Sequence, residues 1–150
     1  MKDEVQRVVI SLPATAEYVD IVRLNLYGIA SKMGFTYEEI EDMKVAVSEA
    51  CNNSVLYAYK QGQGVMEVTF EVVAEVLSIT VRDNGESFES WGEAGERVTM
   101  HDKELDDVQV GGLGFYLMQA LMDDVSVVNE AGQGTKVIMT RRLMKTEETV

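Results

Sequence analysis

Glu49 and Asn53 stand one helical turn apart in Ser48-Glu49-Ala50-Cys51-Asn52-Asn53-Ser54, so on a helix they share a face. A carboxylate placed there can accept a proton, and an amide oxygen one turn further on can bind a hard cation such as Mg²⁺. The same pair also suits a solvated helix surface. Arg82-Asp83-Asn84-Gly85 follows an apolar run. Ionised Asp83 only accepts hydrogen bonds and can read an exocyclic amine such as that of adenine, although Asp-Asn-Gly is equally an ordinary turn. Gly111-Gly112-Leu113-Gly114 precedes an apolar helical pattern. Backbone amides can converge there on a phosphate at the positive helix end, or the glycines can act as a hinge. The cluster is not a P-loop, because no Gly-Lys-Ser/Thr follows, and it lacks the third glycine of a dinucleotide fingerprint. Gly132-Gln133-Gly134-Thr135 reads as a hairpin turn whose Thr135 hydroxyl can join Asp83 around a base.

Composition removes much competing chemistry. The chain has 150 residues with one histidine and one cysteine. A Ser/His/Asp triad would have only His101 to use, and a zinc cage of His and Cys lacks ligands. Cys51 has no internal disulfide partner, and no histidine close in sequence activates it, so it reads as a small packed side chain. The formal net charge of −13 repels phosphate backbones and anionic lipid, which disfavours nucleic acid or a membrane as the main partner and leaves a protein partner open. No apolar run reaches the roughly 20 residues that span a bilayer. The start, Met1-Lys2-Asp3-Glu4, lacks a signal peptide pattern, so a cytoplasmic location is expected.

The elements that must position these residues are legible as periodicities. Val5 to Leu12 reads as a strand closed by Pro13. Thr15 is the expected N-cap of a helix whose Val19, Val22, Leu26, Ile29 and Met33 recur at helical spacing up to Gly34. Thr36 and Glu39 have capping-box spacing ahead of a stripe of Ile40, Met43, Val47, Ala50, Ser54 and Tyr57, ending near Lys60. Met66, Val68, Phe70 and Val72 alternate with polar residues, and Leu77, Ile79 and Val81 answer them as a second strand of a hairpin. The apolar period then fades over an acidic stretch containing Trp91 and His101, which is expected to be a lid over about 86–110. A helix to about Met122, a strand over Val125–Val128 and a last strand from Thr135 to about Thr140 follow, with 144–150 as a frayed tail. Helices in one layer over one mixed sheet form an α+β two-layer sandwich.

Taken in order, Glu49-x-x-x-Asn53, Asp83-x-Gly85, Gly112-x-Gly114 and Gly134-Thr135 resemble the N, G1, G2 and G3 boxes of the gyrase, Hsp90, histidine-kinase and MutL ATPase superfamily. Ala46-Val47-Ser48-Glu49-Ala50-Cys51 and Gly111-Gly112-Leu113-Gly114-Phe115-Tyr116-Leu117-Met118 further resemble the anti-sigma serine-protein kinases, most of all the anti-sigma-B factors of Gram-positive bacteria. The likeness runs over residues 1–143.

The resemblance implies the Bergerat ATP-binding fold, with a mostly antiparallel sheet, in a single domain. It implies a protein that sequesters a sigma-B type factor and uses ATP and Mg²⁺ to phosphorylate a serine of an anti-anti-sigma antagonist. Glu49 would be the base, Asn53 the Mg²⁺ ligand, and Asp83 the adenine reader with Gly85 and Thr135. Gly111, Gly112, Leu113 and Gly114 would cradle phosphates, and Arg23 falls where a relative's sigma-contacting arginine would. Such relatives are homodimers. Ser87 replaces a second glycine common in the G1 box, and Gln109-Val110 stands where some relatives carry an arginine, leaving Lys103, Arg97 or a cation from a partner to face the γ-phosphate. The competing expectation is a non-catalytic module that binds nucleotide only to sequester a protein.

Overall fold

The computed structural model describes residues 4–55, 64–83, 97–98, 110–130 and 134–144. Strand β1, Gln6–Pro13, leads through a 3-10 turn, Ala16–Tyr18, into α1, Val19–Met33, and α2, Tyr37–Asn53. The hairpin of β2, Val65–Val73, and β3, Val76–Asp83, follows. The short β4, Arg97–Val98, then α3, Val110–Leu121, and the hairpin of β5, Asp124–Glu130, and β6, Gly134–Arg142, complete the order.

The helices form where the sequence periods place them, with one change at the first. Thr15 takes an extended conformation before the 3-10 turn and makes no side-chain cap bond. Its hydroxyl is buried without a partner, and α1 begins only after Tyr18. The backbone makes the entry instead: Thr15 N–H donates to the Pro13 carbonyl and Tyr18 N–H to the Thr15 carbonyl, at 2.9 and 3.0 Å. Helix α1 stops at Gly34, which adopts φ 108°. The capping box of α2 is complete, with Glu39 N–H donating to Thr36 Oγ1 at 3.1 Å and Thr36 N–H to Glu39 Oε1 at 2.8 Å, worth about 1 kcal/mol. The expected end near Lys60 lies outside the described residues.

The sheet order is β1-β2-β3-β6-β5-β4. Every described pairing is antiparallel, so the expected mixture of directions reduces to one. Strands β3 and β5 do run the same way, but β6 lies between them and no parallel ladder forms. Arg97–Val98, inside the expected lid, is paired to Val127–Val128 as an edge strand; the rest of 86–109 lies outside the described residues.

The core lies between the helices and one sheet face. Val22, Leu26, Ile40, Met43 and Val47 from the helices pack with Met66, Phe70, Leu77, Ile79 and Met139 from the strands, all fully buried. Each such large side chain contributes about 1.5–3 kcal/mol by leaving water. Helix α2 is central, packed against both α1 and α3. Among the described residues no helix is long and apolar enough to cross a membrane.

Candidate functional site

Three apolar rows on the helix-facing side of the sheet end in polar residues at the same edge. The buried alternation Leu77, Ile79, Val81 continues into Asp83. Val125 and Val127 lead to Asn129, and Met139 and Val137, read backwards along β6, lead to Thr135. Antiparallel register sets Asn129 directly opposite Thr135 and places Thr135 one pair beyond Arg82↔Lys136, beside Asp83. The buried stripe of α2 ends over this edge in Asn53 and Ser54. Ser54 keeps helical dihedrals.

These five side chains, each no more than 5% exposed, are held by long hydrogen bonds. Ser54 Oγ donates to Asp83 Oδ2 at 3.4 Å, Thr135 N–H donates to Asp83 Oδ1 at 3.4 Å, and Thr135 Oγ1 donates to Asn129 Oδ1 at 3.1 Å. Asn53 Nδ2 is buried with no partner. An unsatisfied buried polar group costs about 1–3 kcal/mol, so the partnerless Asn53 Nδ2 calls for an acceptor from outside the chain.

Gly134 closes the edge. Its φ is 93°, and a Cβ there would lie 2.1 Å from the Asp83 carbonyl oxygen, so only glycine lets β6 start against the end of β3. Gly114 does the corresponding work between helices. A Cβ on it would lie 2.5 Å from Glu49 Oε1, so the half-buried Glu49 carboxylate rests against the first turn of α3.

The glycine cluster is itself part of that turn. Helix α3 starts at Val110, so Gly111, Gly112, Leu113 and Gly114 open the helix from within rather than preceding it. The buried Phe115 and Met118 anchor the turn on the core, and the missing Cβ of Gly114 allows its approach to α2. The first four N–H groups of a helix have no partner within it, so the positive end still lies by Glu49.

An open groove of 410 Å³ runs along α1 and α2, lined by Arg23, Glu41, Lys44, Val45, Ser48, Glu49 and Asn52. Arg23 is fixed in it: its Nε donates to Ser48 Oγ at 2.7 Å, and it pairs with Asp20. Cys51 is fully buried, and desolvation pushes its thiol up to about 12, with Arg23 pulling weakly the other way. It stays protonated and packed, as its setting in the sequence suggested.

Asp83 and Thr135 thus meet as expected, Asn53 lies next in sequence to the Ser54 that bonds Asp83, and Glu49 meets Gly114 one turn of α2 away. Gly85, Ser87, Trp91, His101 and Lys103 lie outside the described residues. Ser54 and Asn129 belong to the cluster although sequence reasoning passed them over. The signal was present in each case, a polar residue continuing an apolar period. No group of three or more His, Cys, Asp or Glu side chains able to hold a metal occurs among the described residues. The partnerless atom of Asn53 is the Nδ2 donor, which suits an acceptor such as a phosphate oxygen; the same amide's Oδ1 is the atom that would hold Mg²⁺ arriving on a triphosphate, which needs only one or two protein oxygens.

Residues 12–141 match the histidine kinase-like ATPase domain family. The chain is 44% identical over 147 residues to the serine-protein kinase RsbW of Bacillus subtilis (strain 168), covering 95% of this chain and 89% of that protein. It is 39% identical over 147 residues to RsbW of Bacillus cereus (strain Q1), covering 97% and 90%. This chain belongs to the RsbW serine-protein kinases. A crystal structure of the RsbU and RsbW domains of a Mycobacterium tuberculosis protein has the same fold, with a TM-score of 0.65 at 23% identity over 92% of this chain and 32% of the longer one.

Proposed function

We propose that this chain is an anti-sigma kinase: it holds a sigma-B type factor away from RNA polymerase and inactivates the anti-anti-sigma antagonist by phosphorylating one of its serines. The observation that supports this most is the Glu49 carboxylate resting against Gly114 at the positive end of α3. A base therefore sits where backbone N–H groups receive phosphate, while Asp83, Ser54 and Thr135 lie one helical turn away as a polar seat for the purine.

Asp83 accepts the exocyclic amine of adenine, with Thr135 and Gly85 completing the seat. The free N–H groups at the start of α3, those of Gly111 and Gly112, hold the phosphates, with Leu113 and Gly114 lining the same turn. Asn53 holds Mg²⁺ carried by ATP, which neutralises phosphate charge in a chain of net charge −13. Glu49 takes the proton of the acceptor serine as its oxygen bonds to the γ-phosphorus and the bond to ADP breaks. Arg23, on the groove beside Glu49, contacts the protein partner. Residues 1–143 act as one domain. The exposed Val8 and Val9 of the edge strand β1, with exposed Val5 just before it, support a homodimer, working in the cytoplasm.

Mixing the chain, Mg-ATP and a candidate antagonist, then weighing the antagonist intact, tests the reading. Glu49→Gln is expected to slow phosphate addition by about 10²–10⁴-fold while ATP still binds. Equal rates for the two proteins would remove Glu49 as the base. A wild type that captures a sigma factor but never modifies the antagonist would make the chain a sequestering module.

A further inference from the structure

Asn129 and Thr135 face each other across β5 and β6, and the Thr135 hydroxyl donates to Asn129 Oδ1 with both side chains buried. A hydroxyl has a single hydrogen and two acceptor lone pairs. With that hydrogen given to Asn129, the Thr135 oxygen offers only lone pairs to whatever lies beside it. The adjacent Asp83 carboxylate, which receives the Thr135 N–H, is likewise an acceptor. Burial alone does not explain Asn129: it ends the apolar row of Val125 and Val127 at 1% exposure, where an aliphatic residue would avoid the cost of desolvating an amide.

We propose that Asn129 is a positioning residue for nucleobase choice: by holding the Thr135 hydrogen it makes the Thr135–Asp83 corner acceptor-only, which takes a 6-aminopurine and refuses a 6-oxopurine. This rests on the reading that the base lies at this edge of the sheet. An amine at C6 meets two acceptors as a donor, whereas an oxo group sets a third acceptor against them. Without Asn129 the hydroxyl turns on its Cα–Cβ and Cβ–O bonds and can donate to the oxo oxygen, so discrimination relaxes although Asp83 is untouched.

ATP and inosine triphosphate, whose bases differ at C6 and at N1, where the oxo form carries a hydrogen, are the probes. Calorimetric titration of the full chain with each, in Mg²⁺, is expected to give a wild type that prefers ATP by at least about tenfold, the scale of one hydrogen bond. Asn129→Leu, similar in size but without an acceptor, is expected to lose most of that ratio. Asn129→Asp, an acceptor of the same length, is expected to keep it whatever its absolute affinity. In phosphotransfer, the loss in Asn129→Leu falls on the KM for ATP with kcat within about twofold, because the contact is as strong before the transition state as in it. Equal weakening of both nucleotides in Asn129→Leu, or an Asn129→Asp that behaves like it, overturns the proposal. A wild type that binds no ATP overturns instead the placement of the base. Asn129→Ala is read in the same way if thermal melting shows the leucine variant to be unfolded.

Discussion

The two ends of the central strands bury different things. At the β2–β3 turn, polar groups are exposed and conventionally paired: Arg142 N–H donates to Asp123 at 2.7 Å, Leu143 N–H donates to the Glu75 carbonyl at 2.8 Å, and Arg7 meets Glu71 at 2.7 Å. At the other end Asn53, Ser54, Asp83, Asn129 and Thr135 are buried, with bonds of 3.1–3.4 Å and an amide nitrogen left over. Eight residues of β3 separate the two, roughly 26 Å. One end is arranged for the folded chain alone, and the other buries polar groups that, in the proposed function, a nucleotide meets. Substitutions should therefore divide by place: those at the buried end alter nucleotide handling, and those at the turn end alter stability only.

Gly134→Ala should have the largest effect, because both terms act on backbone. The Cβ would meet the Asp83 carbonyl oxygen at 2.1 Å with φ at 93°. Left-handed strain of about 1–2 kcal/mol and overpacking of about 1–3 kcal/mol together predict a loss of roughly 2–5 kcal/mol in urea unfolding, with weaker ATP binding. A variant of unchanged stability would mean that β6 does not start against Asp83.

Gly114→Ala sharpens the contrast because its clash is with a side-chain tip. The methyl would displace the Glu49 carboxylate, which can swing away, so unfolding free energy should change by less than about 1 kcal/mol. The base, however, would leave its place. Phosphotransfer should fall by about 10²-fold, the usual effect of misplacing a reacting group by an ångström, with ATP affinity held within a few-fold. Parallel losses in stability and activity would show Gly114 to be a packing residue only.

The same division governs what could be read in advance. Local rules sufficed for the Thr36–Glu39 box, the α2 stripe and the two hairpins, because capping and alternation act over a few residues. Glu49, Asn53, Asp83 and Thr135 were legible jointly through the order of their motifs. The glycine cluster lies inside α3 rather than just ahead of it: glycine's low helix propensity argues against helix there, while burial of Phe115 and Met118 draws the cluster into α3. Thr15 looked like a cap, but its hydroxyl is enclosed where chain entry already uses backbone bonds. Ser54 and Asn129 were missed because a polar residue on an apolar period looks locally like an exception. Their meaning depends on the β3–β6 and β5–β6 pairings, which join residues distant along the chain.

The smallest expected effect tests the turn end. Ala74 adopts φ 54° in the tight connection between β2 and β3, a conformation costing a side chain about 1–2 kcal/mol. Ala74→Gly removes that strain but loosens the unfolded chain, which takes back about 0.5–1 kcal/mol. A net gain of roughly 0.5–1 kcal/mol in urea unfolding is expected, with ATP affinity and phosphotransfer unchanged. The change adds no contact and lies a strand's length from Asp83, so its energy should stay local. If nucleotide affinity moved with it, the strand would be transmitting backbone adjustment from one end to the other, and the two ends would have to be treated as one coupled unit.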